Sequence, residues 1–282
     1  MTATPASPAS PYHFFDCHVL RTEYVTPAMI RVALGGDGLE RMASAGRDQR
    51  IKVFLPHPGQ DAPVMPDTSG DAANWYADWC ALDPDVRGIM RTYTTRELRR
   101  DPDELIVDFA VHGPAPSPSD GPATSWARNA VPGARIGVLA PLEEENGAYE
   151  FRPPQDTDWV LLTADESALP AVAAILETLP STTPARVWIE VHDLADKQEL
   201  TTKADAEITW LTEEGGTPSA IQAAELPSGT PYAWVVGESA TVKTVRRHLV
   251  RDRDFDRKRI CFSGYWRKGT TTDELIDRNE AA

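Results

Sequence analysis

Short apolar runs with a two-residue alternation dominate the first half of the chain. Residues 12–20, 29–34, 50–55, 90–94, 105–111 and 135–139 each read as strands, separated by Gly, Pro and Asp clusters. No long helical period intervenes, so this half predicts an antiparallel six-stranded β-barrel. The second half changes rhythm. Residues 159–164, 186–191, 208–211, 232–236 and 259–262 read as strands, with helical periods over 167–179 and 240–250. Strands alternating with helices imply βαβ units and a parallel sheet. RPPQDTD, within residues 150–158, reads as a linker. The expected plan is a loose tail over 1–11, a barrel over 12–152 and an α/β unit over 153–282.

One irregular insertion, residues 56–88, is long for a structureless loop. Trp75, Tyr76 and Trp79 have helical spacing within it, which predicts a short amphipathic helix that anchors it. Packing is the plain role for these rings, and a loop of this length beside a site also suits a lid.

Composition is that of a globular chain: 41% hydrophobic and 25% charged residues in 282. The formal net charge of −15 repels phosphate backbones and argues against nucleic-acid binding. That charge is unevenly placed, because residues 243–268 hold ten basic residues against three acids. Cys17, Cys80 and Cys261 form no CxxC pair, which removes support for a zinc site, a cysteine-ligated cluster or a disulfide framework. The N-terminal MTATPASPASP has neither a basic nor an apolar region of a signal peptide, and no run approaches the ~20 apolar residues of a membrane span. A cytoplasmic monomer without stable membrane association and without bound metal is expected.

The sharpest chemical feature is Arg91-Thr92-Tyr93-Thr94-Thr95-Arg96. Two guanidinium groups, a ring and hydroxyls within six residues suit an anionic pyrophosphate together with a flat ring system; a solvated strand with surface arginines is the plain alternative. Downstream, GPATSWA looks like a helix start with Thr124 or Ser125 as its cap, and free N–H groups there favour a diphosphate. No Ser/His/Asp or paired-carboxylate arrangement emerges, so no protein acid or base is obligatory.

RTYTTR, VDFAVHG, GPATSWA, ADESALPAV, WVVGESATVKTVRRHL and FSGYWRKG follow one another in order between residues 91 and 269, within a similarity that spans residues 12–269. In this series the chain resembles the siderophore-interacting protein family, flavin-dependent ferric-siderophore reductases of ferredoxin-reductase-like plan. The resemblance implies a barrel that binds FAD and a C-terminal unit that receives NADH or NADPH. Arg91, Thr92, Tyr93, Thr94 and Arg96 would then form the flavin site, with Asp108, His112 and Gly113 lining it. Thr124, Ser125 and Trp126 would sit at the pyrophosphate helix. Thr163, Asp165, Glu166 and Ser167, with Gly237, Glu238 and Ser239, occupy strand-to-helix turns where open α/β sheets bind ligands. Neither turn carries GxGxxG, so only the resemblance makes them nicotinamide candidates. Trp266, after the last strand, is placed to shield a flavin or to anchor locally. His192, Asp193 and Asp196 follow the second α/β strand, where a carboxylate suits the ribose 2′-OH of NADH and repels the 2′-phosphate of NADPH. The implied activity passes electrons from NAD(P)H through FAD to a ferric siderophore, releasing Fe(II). A ferric-siderophore binding protein without turnover, or a flavin reductase with ferredoxin as donor, remains open at this point. The chain departs from some relatives in its tail, which ends TTTDELIDRNEAA without a longer C-terminal helix.

Overall fold

The computed structural model describes residues 10–66, 74–111, 115–117 and 120–278. Seven antiparallel strands make the first sheet: β1 (Tyr12–Thr26), β2 (Met29–Gly36), β3 (Arg50–Leu55), β4 (Ile89–Thr94), β5 (Glu97–Arg99), β6 (Glu104–Ala110) and β7 (Arg135–Pro141). Their order is β4-β3-β7-β1-β2-β6-β5, so β4 and β5 lie at opposite edges. Only Thr95 and Arg96 join them, and two residues span too little to bridge a flat sheet. The sheet therefore curls. Thr95 N–H donates to Gln49 O (2.8 Å) beside β3, and Arg96 N–H donates to Ile106 O (3.0 Å) in β6, which draws the edges together.

The strand count exceeds the expected six because β5 has three residues, too few for an alternation to show. β1 runs six residues past its expected end. Register shifts between Val19 and Arg21 and between Tyr24 and Thr26 reset which side faces inward and hide the continuation. Phe15, Val19, Val32, Val53, Val107 and Val138 fill the interior.

The second sheet is parallel, in the order β10 (Ala206–Leu211), β9 (Ala185–Glu190), β8 (Trp159–Ala164), β11 (Pro231–Glu238) and β12 (Ile260–Trp266). All six residues of β8 are buried, as expected for a central parallel strand covered on both faces. α3 (Leu169–Thr178) covers one face with Leu169, Val172 and Ile175. α4 (Thr217–Ala223) and α5 (Ser239–Arg251) cover the other with Ile221, Val242, Val245 and Leu249. The strand order reverses between β8 and β11, and such a switch point opens a crevice at the carboxyl ends of the strands.

In the insertion, α1 (Trp75–Ala81) takes the expected place. Trp79 is buried, its indole donates to Gly88 O (2.9 Å), and Arg87 lies 3.9 Å over its ring, so these aromatics anchor the segment. The tail forms α6 (Thr272–Asp277), opened by a capping box between Thr271 and Glu274. Among the contacts that join the sheets, buried Asp48 accepts from Phe151 N–H (2.9 Å) and Trp234 Nε1 (3.0 Å), Asp196 accepts from Ala28 N–H (2.8 Å), Arg96 pairs with Glu177 of α3 (2.7 Å), and Met29 of β2 packs into the core of the second sheet. Among the described residues no helix is long and apolar enough to cross a membrane.

Candidate functional site

β4 is an edge strand, with no strand hydrogen-bonded to it on the side away from β3. Tyr93 rests on Phe109 of β6 (ring centroids 4.3 Å), and Phe109 lies 5.5 Å from Trp126 of α2 (Pro122–Asn129). Three distant motifs thus meet in one aromatic row. Burial pushes the Tyr93 phenol up, which keeps it protonated and able to donate. Arg91 is bonded at 2.7 and 2.8 Å by both oxygens of Asp273, from α6. Thr92 is exposed and accepts from Lys52 Nζ at 2.7 Å. Thr94 is buried beside Arg50.

At the turn itself, Thr95 Oγ1 and Arg96 Nε are buried with no hydrogen-bond partner among the described residues. An orphaned hydroxyl and an orphaned guanidinium N–H are costly unless a ligand completes them. Neutral acceptors and phosphate oxygens do so, and the adjoining Tyr93 offers a ring face. These residues fit a flavin dinucleotide.

Asp108 is turned to the protein's own cations, bonding Arg31 at 2.7 and 2.8 Å and standing 3.9 Å from Arg96 Nε. His112 and Gly113 lie outside the described residues. The cap of α2 is Gly121, a correction to Thr124 or Ser125. Pro122 brings its own helical φ and has no N–H to leave unsatisfied, so it takes the first helical position and moves the start upstream. Thr124 instead bonds Ala110 O (3.3 Å) and holds α2 to the end of β6, while Ser125 is exposed on the first turn.

The second cluster forms at the carboxyl ends of β8, β11 and β12. Asp165 accepts from Ser167 N–H (2.9 Å) with one oxygen and from Trp266 Nε1 (2.7 Å) with the other. Ser239 Oγ donates to Trp266 O (3.1 Å), and Glu238 caps α5 by accepting from Ala240 and Thr241 N–H. Gly237 has φ +129°, and a Cβ there would stand 2.7 Å from Asp165 Oδ2. Only glycine fits that approach. Thr163 is buried at the end of β8. Glu166 accepts from His192 N–H (2.5 Å), and burial pushes its carboxyl up. The reading of Asp196 as a ribose ligand needs correction, since it is buried on Ala28 N–H; Asp193 caps a short 3-10 turn with one oxygen and is exposed.

Three residues had no motif to announce them. Lys52 stands on the outward face of β3 opposite Thr92, and burial lowers its ammonium pKa. Its polar position in the alternation of RIKVFL was readable, but its neighbour required the strand register. Asp48 and Asp273 lie in a loop and a tail, where no local pattern points to them.

Two family models cover most of the chain. Residues 18–145 match the siderophore-interacting FAD-binding domain, and residues 157–269 match the siderophore-interacting protein model. The ferric vibriobactin reductase ViuB of Vibrio cholerae is 30% identical over 89% of this chain and 88% of its own. An NADPH-dependent ferric-chelate reductase of Escherichia coli is 28% identical over 94% of this chain and 99% of its own. A siderophore utilization protein from T. fusca, solved by crystallography, superposes with a TM-score of 0.76 at 32% identity, covering 94% of this chain and 96% of that one.

Proposed function

From the premise that this chain belongs to the siderophore-interacting protein family, we propose that it is a flavin-dependent reductase that passes electrons from NAD(P)H to a ferric siderophore. The observation that carries this reading is the pair of orphaned polar groups, Thr95 Oγ1 and Arg96 Nε, at the turn beside Tyr93. Arg91 and Arg96 would hold phosphate oxygens, Tyr93 would offer its ring face, Thr94 and Thr95 would bond ring heteroatoms, and the first turn of α2 would face the diphosphate. When bound, FAD supplies the chemistry that takes two electrons from a nicotinamide and gives them singly to Fe(III).

The protein's part is placement. Asp108 holds Arg31 and stands near Arg96, fixing the charge around the turn. Asp165, Ser167, Gly237, Glu238, Ser239 and Trp266 form the rim that receives the nicotinamide end of the donor. Trp266, 41% exposed and fixed by Asp165, is the lid of that rim. Lys52, drawn to Thr92, gives an anionic chelate a cation beside the flavin turn. Asp196 is turned inward while Asp193 stays exposed at the same turn, so the choice of NADPH as donor rests on the Escherichia coli relative, whose name carries it.

Anaerobic spectrophotometry tests the proposal. The purified protein is expected to carry FAD, to bleach with NADPH and to recolour when a ferric siderophore is added. A protein that binds the chelate without bleaching would instead be a carrier. The double variant Arg91→Ala/Tyr93→Ala is expected to lose its flavin, and stoichiometric FAD in that variant would overturn the site.

A further inference from the structure

α5 carries two stripes. Val242, Val245 and Leu249 face the core, while Lys243, Arg246, Arg247 and Arg251 recur at i, i+3, i+4 and i+8 beside them. Like charges at such spacings repel. Elsewhere Arg21, Arg31, Arg91, Arg96 and Arg135 each hold a carboxylate, and Arg47, Arg87 and Arg253 lie on rings or backbone carbonyls. These four cations, with Arg257, take part in no ion pair among the described residues.

The five line a groove of about 330 Å³ between α5 and β12, the edge strand of the sheet. Its lining contains no acidic residue. Phe262 forms an aromatic wall, 47% exposed, with the Arg246 guanidinium 4.2 Å from its ring centroid. Arg246 Nε is buried there without a hydrogen-bond partner. Cations left to repel one another, an orphaned N–H and a flat apolar plate call for one complement, a compact polyanion with a planar end. In a chain of net charge −15, this groove concentrates positive potential.

We propose that the α5–β12 groove is a binding site for a nucleotide-type oligophosphate, with phosphates on Arg246, Arg247, Arg251 and Arg257 and a planar base against Phe262. The Arg251 end of the groove is set apart from the nicotinamide rim, while Lys243 stands about one helical turn from Ser239. Ser239, which touches Trp266, opens α5, and Arg251 ends it, about 18 Å further along the helix axis. The concave shape and small volume favour a small molecule over a flat lipid surface.

Calorimetry on the flavin-loaded protein with inorganic triphosphate and with ATP tests this at 25 and 250 mM salt. Both ligands are expected to bind at low salt and to weaken by about tenfold or more at high salt. Arg247→Glu/Arg251→Glu is expected to lose at least about tenfold in affinity for both, with FAD content and the NADPH KM unchanged. Phe262→Ala should weaken ATP but leave triphosphate as it is. Equal binding by wild type and the double variant would overturn the site. So would an equally raised NADPH KM, which would make the groove part of the donor site. Capture by phosphatidylglycerol vesicles without binding of either soluble ligand would also overturn it and make the groove a membrane contact.

Discussion

Asp48→Ala removes the carboxylate at the joint between the two sheets. That side chain is 2% exposed and accepts from Phe151 N–H at 2.9 Å, Glu150 N–H at 3.1 Å and Trp234 Nε1 at 3.0 Å. Truncation leaves three donors without their acceptor, two of them on buried residues. Hydrogen bonds to a charged acceptor contribute about 1.5–3 kcal/mol each, and an abandoned buried donor costs about 1–3 kcal/mol. Allowing for partial rescue by water, a loss of about 3–6 kcal/mol is expected. A globular protein has only about 5–15 kcal/mol in hand, so this is a severe change. Differential scanning calorimetry should show the first transition lowered by about 10 °C. Asp48→Asn keeps one acceptor oxygen and should lose about half as much. Function should follow geometry. Trp234 lies on β11, whose end carries Gly237 and Glu238, and Phe151 follows the barrel, so a loosened joint lets the two clusters drift apart. Anaerobic stopped-flow should show slower flavin bleaching by NADPH at saturation, with FAD content retained. An Asp48→Ala protein melting within about 2 °C of wild type, or Asn worse than Ala, would refute this account of the joint.

Gly237→Ala forces a side chain into φ +129° and onto Asp165, so donor KM should rise and the melting temperature should fall; unchanged values of both would show that the approach is not tight. Asp273→Asn frees the Arg91 fork from its carboxylate. FAD titration followed by flavin fluorescence should show affinity about two- to fivefold tighter, the worth of a partly exposed ion pair, and weaker binding would mean that Asp273 supports rather than competes. Burial pushes the Cys17 and Cys261 thiols up to about 12, whereas Cys80 is exposed. A native-state thiol assay at pH 8 should therefore count one fast thiol, and three fast thiols would contradict the burial. Burial also raises the Glu166 carboxyl, so its contribution to stability is full below the unfolded pKa and is lost as pH rises through the folded one. The stability of Glu166→Gln relative to wild type should thus improve between pH 4 and pH 8, as read by urea unfolding; a flat difference would show no such shift.

Much of the architecture was legible because each half keeps a single period. The alternation of residues 50–55 and 90–94 marked strands that pair in register, and the run of residues 159–164, apolar but for Thr163, marked the central parallel strand. What escaped notice was either short or nonperiodic. β5 and α4 have too few residues to repeat a pattern, and the bulges of β1 break its own. Motif residues were found as types but not as partners. Asp108 belonged to a promising motif, yet its carboxylate faces Arg31, and nothing local to either residue shows that strands 77 positions apart will pair them.

The tail shows why order along a chain does not give its place in the fold. Read locally, TTTDELID is a short polar segment with no pattern that assigns it a neighbour. In the structure Leu275 is buried, Ile276 packs against the cluster of Phe14, Phe54, Trp79 and Met90, and Asp273 reaches Arg91, 182 residues earlier. The insertion supplies Trp79 to that same cluster. The surface outside β4 is therefore built from three remote segments: a barrel edge, an inserted helix and the C-terminal helix. A flavin held by the RTYTTR turn would share Arg91 with the last of these. Asp273 takes one N–H from each of Nη1 and Nη2, and Nη1 also donates to Met90 O, so a phosphate at Arg91 would have either to displace the carboxylate from that end of the fork or to use the Nε side. If the phosphate displaced Asp273, FAD binding would weaken tail docking, and a change that loosens the packing of Ile276 would tighten FAD by at most the factor lost in docking.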